Sequence, residues 1–156
     1  MSKPSTYSVV LCEDIRTEDN GKLLFIGVYP SRVLVNHFPA NLRFSFWISG
    51  KTCEEENKAQ LEVSVINLDS SEEIKVLKSF ALQIKIAESE FIDGTADFSY
   101  AIINLPIKIE DESLLRFKVK PDGGKWKEIG TRKILLNPKP TLPSPPSELS
   151  PDAAPQ

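Results

Sequence analysis

Residues 42–49 read Leu-Arg-Phe-Ser-Phe-Trp-Ile-Ser, with Leu42, Phe44, Phe46 and Ile48 on one side of an extended chain and Arg43, Ser45, Trp47 and Ser49 on the other. Successive side chains of a β-strand point to opposite faces, so period two over eight residues marks a strand with one buried face. Gly50 follows as its stop. The pattern recurs along the chain: Leu61, Val63 and Val65 alternate with polar neighbours, as do Phe80, Leu82, Ile84 and Ile86, then Phe98, Tyr100 and Ile102, and finally residues 114–120. Turn chemistry separates these runs at residues 69–72 and at Pro121-Asp-Gly-Gly124.

Working outward to the N-terminus, residues 7–16 form a mixed-face strand followed by Asp19-Asn20-Gly21-Lys22, where Asn-Gly suits a type I′ hairpin turn. Residues 23–29 return as an apolar run, read as a central strand covered on both faces. Pro30 breaks it before residues 33–35 resume, which predicts a bulge or a sheet-to-sheet crossing there. The polar stretch 52–58 is expected to be a loop or one helical turn. Pro106 places residues 104–109 at an edge or in a connection. Eight or nine short strands with turn signals at such spacing point to an all-β fold: a two-sheet antiparallel sandwich, Ig-like or C2-like with Greek-key connections, with a barrel as the alternative. The Cys…Trp…Cys pattern of immunoglobulin domains is not matched, since Trp47 lies close to Cys53.

Composition sets the domain limits. The chain has 156 residues, 40% hydrophobic and 26% charged, enough to bury about two-thirds of its unfolded surface without metal or disulfide support. From Pro138 onward, seven of the twelve prolines fall in nineteen residues with no aromatic side chain. Residues 1–137 are therefore expected to be the sandwich domain and residues 138–156 a disordered, proline-rich tail. PxxP spacing within residues 140–146 suits grooves that read polyproline II, although any proline-dense stretch produces it.

The formal net charge is −3 with no long basic block, which argues against nucleic acid as a partner. No apolar stretch is long enough to span a membrane, and the first residues lack the pattern of a secretory signal. A cytoplasmic location with Cys12 and Cys53 as reduced thiols is expected.

The opening residues 9–30, Val-Val-Leu-Cys-Glu-Asp-Ile-Arg through Gly-Lys to Ile-Gly-Val-Tyr-Pro, with Val33-Leu-Val35 and Phe38-Pro39-Ala40 after them, resemble the start of a family of small, uncharacterised bacterial and phage-associated β-rich proteins. The resemblance covers roughly the first 45 residues. It implies a β-rich fold and supplies no activity, cofactor or site.

No phosphate-loop, dinucleotide, hydrolase-elbow or zincin motif occurs, so no catalytic, cofactor or metal residue is assigned and no cofactor is expected. A Cys–His pair would have to join His37, the one histidine, with Cys12 or Cys53. Calcium would draw on Asp14, Asp19, Asp69, Asp93, Asp97, Asp111 and Asp122, which lie in or near turns but show no ligand-type clustering. Glu54–Glu56, Glu72 with Glu73, and Glu110–Glu112 read as solvated loop acids. Trp47 and Trp126 are candidate anchors for a partner, unless Trp47 lies under a loop. Glu13, Asp14 and Arg16 remain as the cluster to resolve: alternation places Glu13 with Val9 and Leu11, and Asp14 and Arg16 together on the opposite face. The expected function is a non-enzymatic protein-interaction or structural module. The alternative is a Ca²⁺-dependent C2-like module at a membrane surface.

Overall fold

The computed structural model describes residues 5–69 and 74–138. Its ten strands are β1 (Thr6–Cys12), β2 (Asp14–Thr17), β3 (Leu23–Ile26), β4 (Arg32–Val35), β5 (Ala40–Thr52), β6 (Glu56–Asn67), β7 (Ile74–Lys85), β8 (Ala96–Ile109), β9 (Ser113–Pro121) and β10 (Lys127–Leu136). They form a three-stranded sheet of order β1-β5-β8, a five-stranded sheet of order β4-β10-β9-β6-β7, and the hairpin β2-β3. The expected two-sheet architecture is present. Pairing is antiparallel except between β4 and β10, which run parallel, so the larger sheet is mixed.

The core lies between the two sheets. From β5, Phe44, Phe46 and Ile48 point inward at 1% exposure or less, as their alternation requires. They meet Leu61 and Val63 of β6, Leu115, Phe117 and Val119 of β9, and Ile134 of β10. Phe46 packs edge-on against Phe117 with ring centroids 5.3 Å apart, and against Phe80 at 6.3 Å. Edge-to-face geometry sets the positive ring edge against a negative ring face, adding to the area buried.

The β5-β8 pairing contains a bulge. Phe44 pairs with Leu105 and Phe46 with Ile102, leaving Ile103 and Asn104 opposite Ser45. Asn104 takes the left-handed conformation at φ 60, which Asn tolerates better than most residues. Its backbone N–H donates to Ser45 Oγ at 3.0 Å, and Ser45 Oγ donates to the Glu13 carbonyl at 3.4 Å. The expanded strand thereby keeps its buried polar groups bonded. β8 continues through Pro106, which is tolerated because β8 is an edge strand.

Several expectations need correction. Residues 23–29 are not a doubly covered central strand: β3 stops at Ile26 in the small hairpin, with Leu23 and Leu24 exposed. The remainder crosses to the larger sheet, as Pro30 suggested. The hairpin turn is not type I′, because Gly21 has positive φ and Asn20 does not. The Gly21 N–H bonds the Glu18 carbonyl and the Glu18 N–H bonds the Lys22 carbonyl, making a three-residue loop that closes with glycine in the left-handed region. Of the two alternatives for residues 52–58 the loop holds, shortened to residues 53–55 because β5 ends at Thr52 and β6 starts at Glu56. Among the described residues the one helical element is the 3-10 turn Glu88–Glu90. The turn expected at 69–72 and the tail beyond Pro138 lie outside the described residues apart from Asp69 and Pro138 themselves.

Truncating the central ring tests this packing. Phe46→Ala should lower unfolding free energy by about 3–5 kcal/mol, read as a fall in the urea midpoint at unchanged slope.

Candidate functional site

The N-terminal cluster resolves into structural contacts. Arg16 Nε lies 2.9 Å from Asp14 Oδ2, and Asp14 Oδ1 accepts the Ile15 N–H at 2.9 Å. This is the same-face pair that alternation predicted. Glu13 does not share the Leu11 face as expected, because the chain bends between β1 and β2 and leaves it exposed. Its N–H approaches the Ile26 and Gly27 carbonyls at 3.0 and 3.2 Å, and its Oε1 accepts the Tyr29 hydroxyl at 3.2 Å. The carboxylate lies against Gly27, where φ is +63 and a Cβ would stand 2.7 Å from Glu13 Cδ. Tyr29 donates its N–H to Leu11 and accepts Arg132 Nε on its carbonyl at 2.6 Å. Together these groups pin the crossing between the sheets.

The remaining candidates stay apart. His37 is exposed in the loop before β5, with Nδ1 3.2 Å from the Pro39 carbonyl oxygen. Cys53 follows the far end of that 13-residue strand, roughly 40 Å away at about 3.3 Å per residue. Cys12 is fully buried opposite Ser45 and donates to its carbonyl; burial pushes its thiol pKa up. Cys53 is thus far from His37, and the Cys12 thiol is engaged with the Ser45 carbonyl. Asp97 pairs with Lys51, Asp93 occupies a turn at φ 53, and Asp111 presents its carbonyl to Ser113 Oγ. Among the described residues no group of three His, Cys, Asp or Glu side chains is placed to hold a metal ion.

Three of the loop acids bond partners through their side chains. Glu56 pairs with Lys58 and accepts Gln83 Nε2 at 2.6 Å, contacts that hold its carboxyl pKa down. Glu110 pairs with Lys108, and Glu112 accepts the Leu136 N–H. Glu72 and Glu73 lie outside the described residues. Phe25 of the small hairpin covers Trp47 at 5.3 Å, which leaves Trp126 as the exposed tryptophan.

The surface that sequence reasoning missed is on the outer face of the larger sheet. Residue pairing aligns Ile74, Ile66 and Leu114 across β7, β6 and β9, and extends the row through Lys133 to Arg32. Val76 flanks this row on one side, and Leu135 with its parallel partner Leu34 flanks it on the other. Leu34, Ile74 and Val76 are 44%, 50% and 51% exposed. Each residue sits beside inward-facing neighbours: Leu34 between buried Val33 and Val35, Ile66 after Val65, Leu114 before Leu115 and Leu135 after Ile134. A sheet face open to water normally carries polar residues, so this apolar band is the candidate surface. The signal in sequence was one apolar residue out of phase in β4, β6, β9 and β10, and two, Ile74 and Val76, at the start of β7. Arg32, Lys133 and Arg116 interrupt or border the band; Arg116 reaches Glu128 at 2.8 Å.

A separate polar cluster closes one end of the core. Asn57, 2% exposed, donates Nδ2 to the Tyr7 hydroxyl at 3.3 Å, while the Tyr100 hydroxyl lies 3.1 Å from the Asn57 carbonyl and from its Oδ1. Burial pushes Tyr100 up to about 12, with Tyr7 adding to the shift. Burial, then the neighbouring Glu13 carboxylate, pushes Tyr29 up to about 12.

Two expectations follow from these contacts. Removing the exposed Asp14–Arg16 pair by Arg16→Ala should change stability by less than about 1 kcal/mol, measured by chemical denaturation. Tyr29 and Tyr100 hold their protons more tightly folded than unfolded, where the value is near 10. Their contribution to stability is complete below pH about 10 and is lost as pH rises toward about 12. Melting temperature should fall across that window, and Tyr29→Phe should make the fall shallower.

A search of curated proteins gave no match. A family model does match, from Tyr7 in β1 to Thr131 in β10, and the expected kinship with an uncharacterised family holds. The chain belongs to the family of unknown function DUF6941, whose model matches residues 7–131.

Proposed function

We propose that this protein is a non-enzymatic interaction module that docks a protein partner on the outer face of its five-stranded sheet. The apolar band of Leu34, Leu135, Leu114, Ile66, Ile74 and Val76 carries this reading. Burying such a surface gains about 25 cal/mol for each Å² of apolar area removed from water. The charges in and beside the band are chiefly cationic, from Arg32 and Lys133. A second copy packed face to face would oppose like charges, which disfavours association. A partner with an apolar centre and acidic rim fits better. Among the described residues no helix is long and apolar enough to cross a membrane. A cytoplasmic location belongs to the same proposal, supported by the buried Cys12 thiol.

Site-specific photo-crosslinking tests the docking face. A benzophenone side chain at Val76 should yield one dominant protein adduct in extracts of the source cell, lost when Ile74→Asp is added to a still-folded chain. The same group at Ser99, on the smaller sheet, should yield none. Equal adducts from both positions, or adducts indifferent to Ile74→Asp, would overturn the reading.

A further inference from the structure

The edge of this docking face has a second, chemically different side. β7 is the last strand of the larger sheet, and among the described residues no strand pairs with its outer edge. Ile74 and Val76 point outward with the apolar band. Lys75 pairs with Val65 and Lys78 with Val63, so both lysines occupy inner-facing positions at the open seam between the sheets. The register shift supplies this arrangement: Val76 pairs with Ser64 and Lys78 with Val63, so Leu77 is an extra residue and Lys78 falls on the same side as Lys75.

Across the seam, Arg43 of β5 and Lys108 of β8 line the same cleft of about 430 Å³, whose wall contains Leu42, Leu77 and Ile107 but no carboxylate. Four cations therefore share one cleft. An adjoining cleft of about 370 Å³, which shares Lys75 and Lys108, contains Asp111 and Glu110, the latter already bound to Lys108 at 2.8 Å; four cations still outnumber these two carboxylates. The local charge is opposite in sign to the net charge of −3. Inward lysines also deter indiscriminate edge pairing, but that role does not require Arg43 and Lys108 from the opposite sheet.

We propose that β7 accepts an extended acidic segment of a partner protein as a sixth strand of the larger sheet. The segment alternates carboxylate and apolar side chains. This proposal rests on the docking role of that sheet and specifies the occupant at its edge. A strand added beside β7 sends successive side chains to opposite faces. Its apolar residues extend the outer band next to Ile74 and Val76. Its carboxylates enter the seam toward Lys75, Lys78, Lys108 and Arg43, while its backbone satisfies the free edge. A single-stranded nucleic acid would meet the cations without satisfying that edge.

Selection of random decapeptides displayed on yeast against the immobilised full chain tests this. Enriched sequences should alternate Asp or Glu with Val, Ile, Leu or Phe. A synthetic peptide made from the enriched consensus should bind roughly tenfold more weakly to Lys75→Glu/Lys78→Glu and lose affinity with added salt. Lys75→Gln/Lys78→Gln, checked for an unchanged melting temperature, should weaken binding in the same direction. Trp126→Ala should leave it unchanged. No enrichment, enrichment without the alternation, or binding indifferent to both lysine pairs overturns the proposal. Tighter lysine-dependent binding of a labelled single-stranded oligonucleotide also overturns it, in favour of nucleic acid. The Val76 crosslink separates the levels: a sheet-face adduct with no peptide selection removes the edge strand alone, whereas loss of both removes the docking reading.

Discussion

The edge-to-face contact between Phe46 and Phe117 joins the two sheets, and the positions around it follow from the need to keep both rings buried. β5 supplies Phe46 while pairing with β1 on one side and β8 on the other. Any one-residue slip of β5 would turn Phe44, Phe46 and Ile48 to the outer face. The bulge at Asn104 keeps that register through a change in β8. Ser45, between two buried phenylalanines, accepts the Asn104 N–H and donates to Glu13. A buried hydroxyl there is tolerated because it has both partners.

The same constraint accounts for the N-terminal cluster. β1 belongs to the smaller sheet and β4 to the larger, and the chain between them must form a hairpin and then cross. Glycine at 27 supplies the left-handed conformation and the space that the Glu13 carboxylate occupies. Tyr29 then ties Leu11, Glu13 and Arg132 to one residue. Of the residues that look most like a site in sequence, Glu13 is therefore part of a clasp that holds the crossing, while Asp14 and Arg16 pair with each other on the hairpin.

Once both inner faces are filled, the remaining apolar residues have an outward destination. Pairing of five strands aligns one out-of-phase side chain after another on the larger sheet. At its β7 edge the bulge places Lys75 and Lys78 on the opposite side from Ile74 and Val76. The candidate surface thus combines apolar contact with cationic contact on the two faces of one strand. This arrangement is the physical basis for the side-chain alternation proposed for a partner strand.

Sequence by itself determined the elements whose signal is local. Strict alternation marked the buried face of β5, turn chemistry placed the loop after β9, and Pro30 marked the crossing, because steric and hydrophobic preferences act over a few residues. It also placed Asp14 and Arg16 on one face. It misassigned residues 23–29, whose apolar character fits either a covered central strand or a small packed hairpin. Only tertiary structure decided that difference, the parallel pairing of β4 with β10, and the distance separating His37 from Cys53. It likewise assembled the apolar band and the basic seam, since Leu34, Ile66 and Leu114, or Arg43, Lys75 and Lys108, are far apart in the chain and become neighbours through strand order and register.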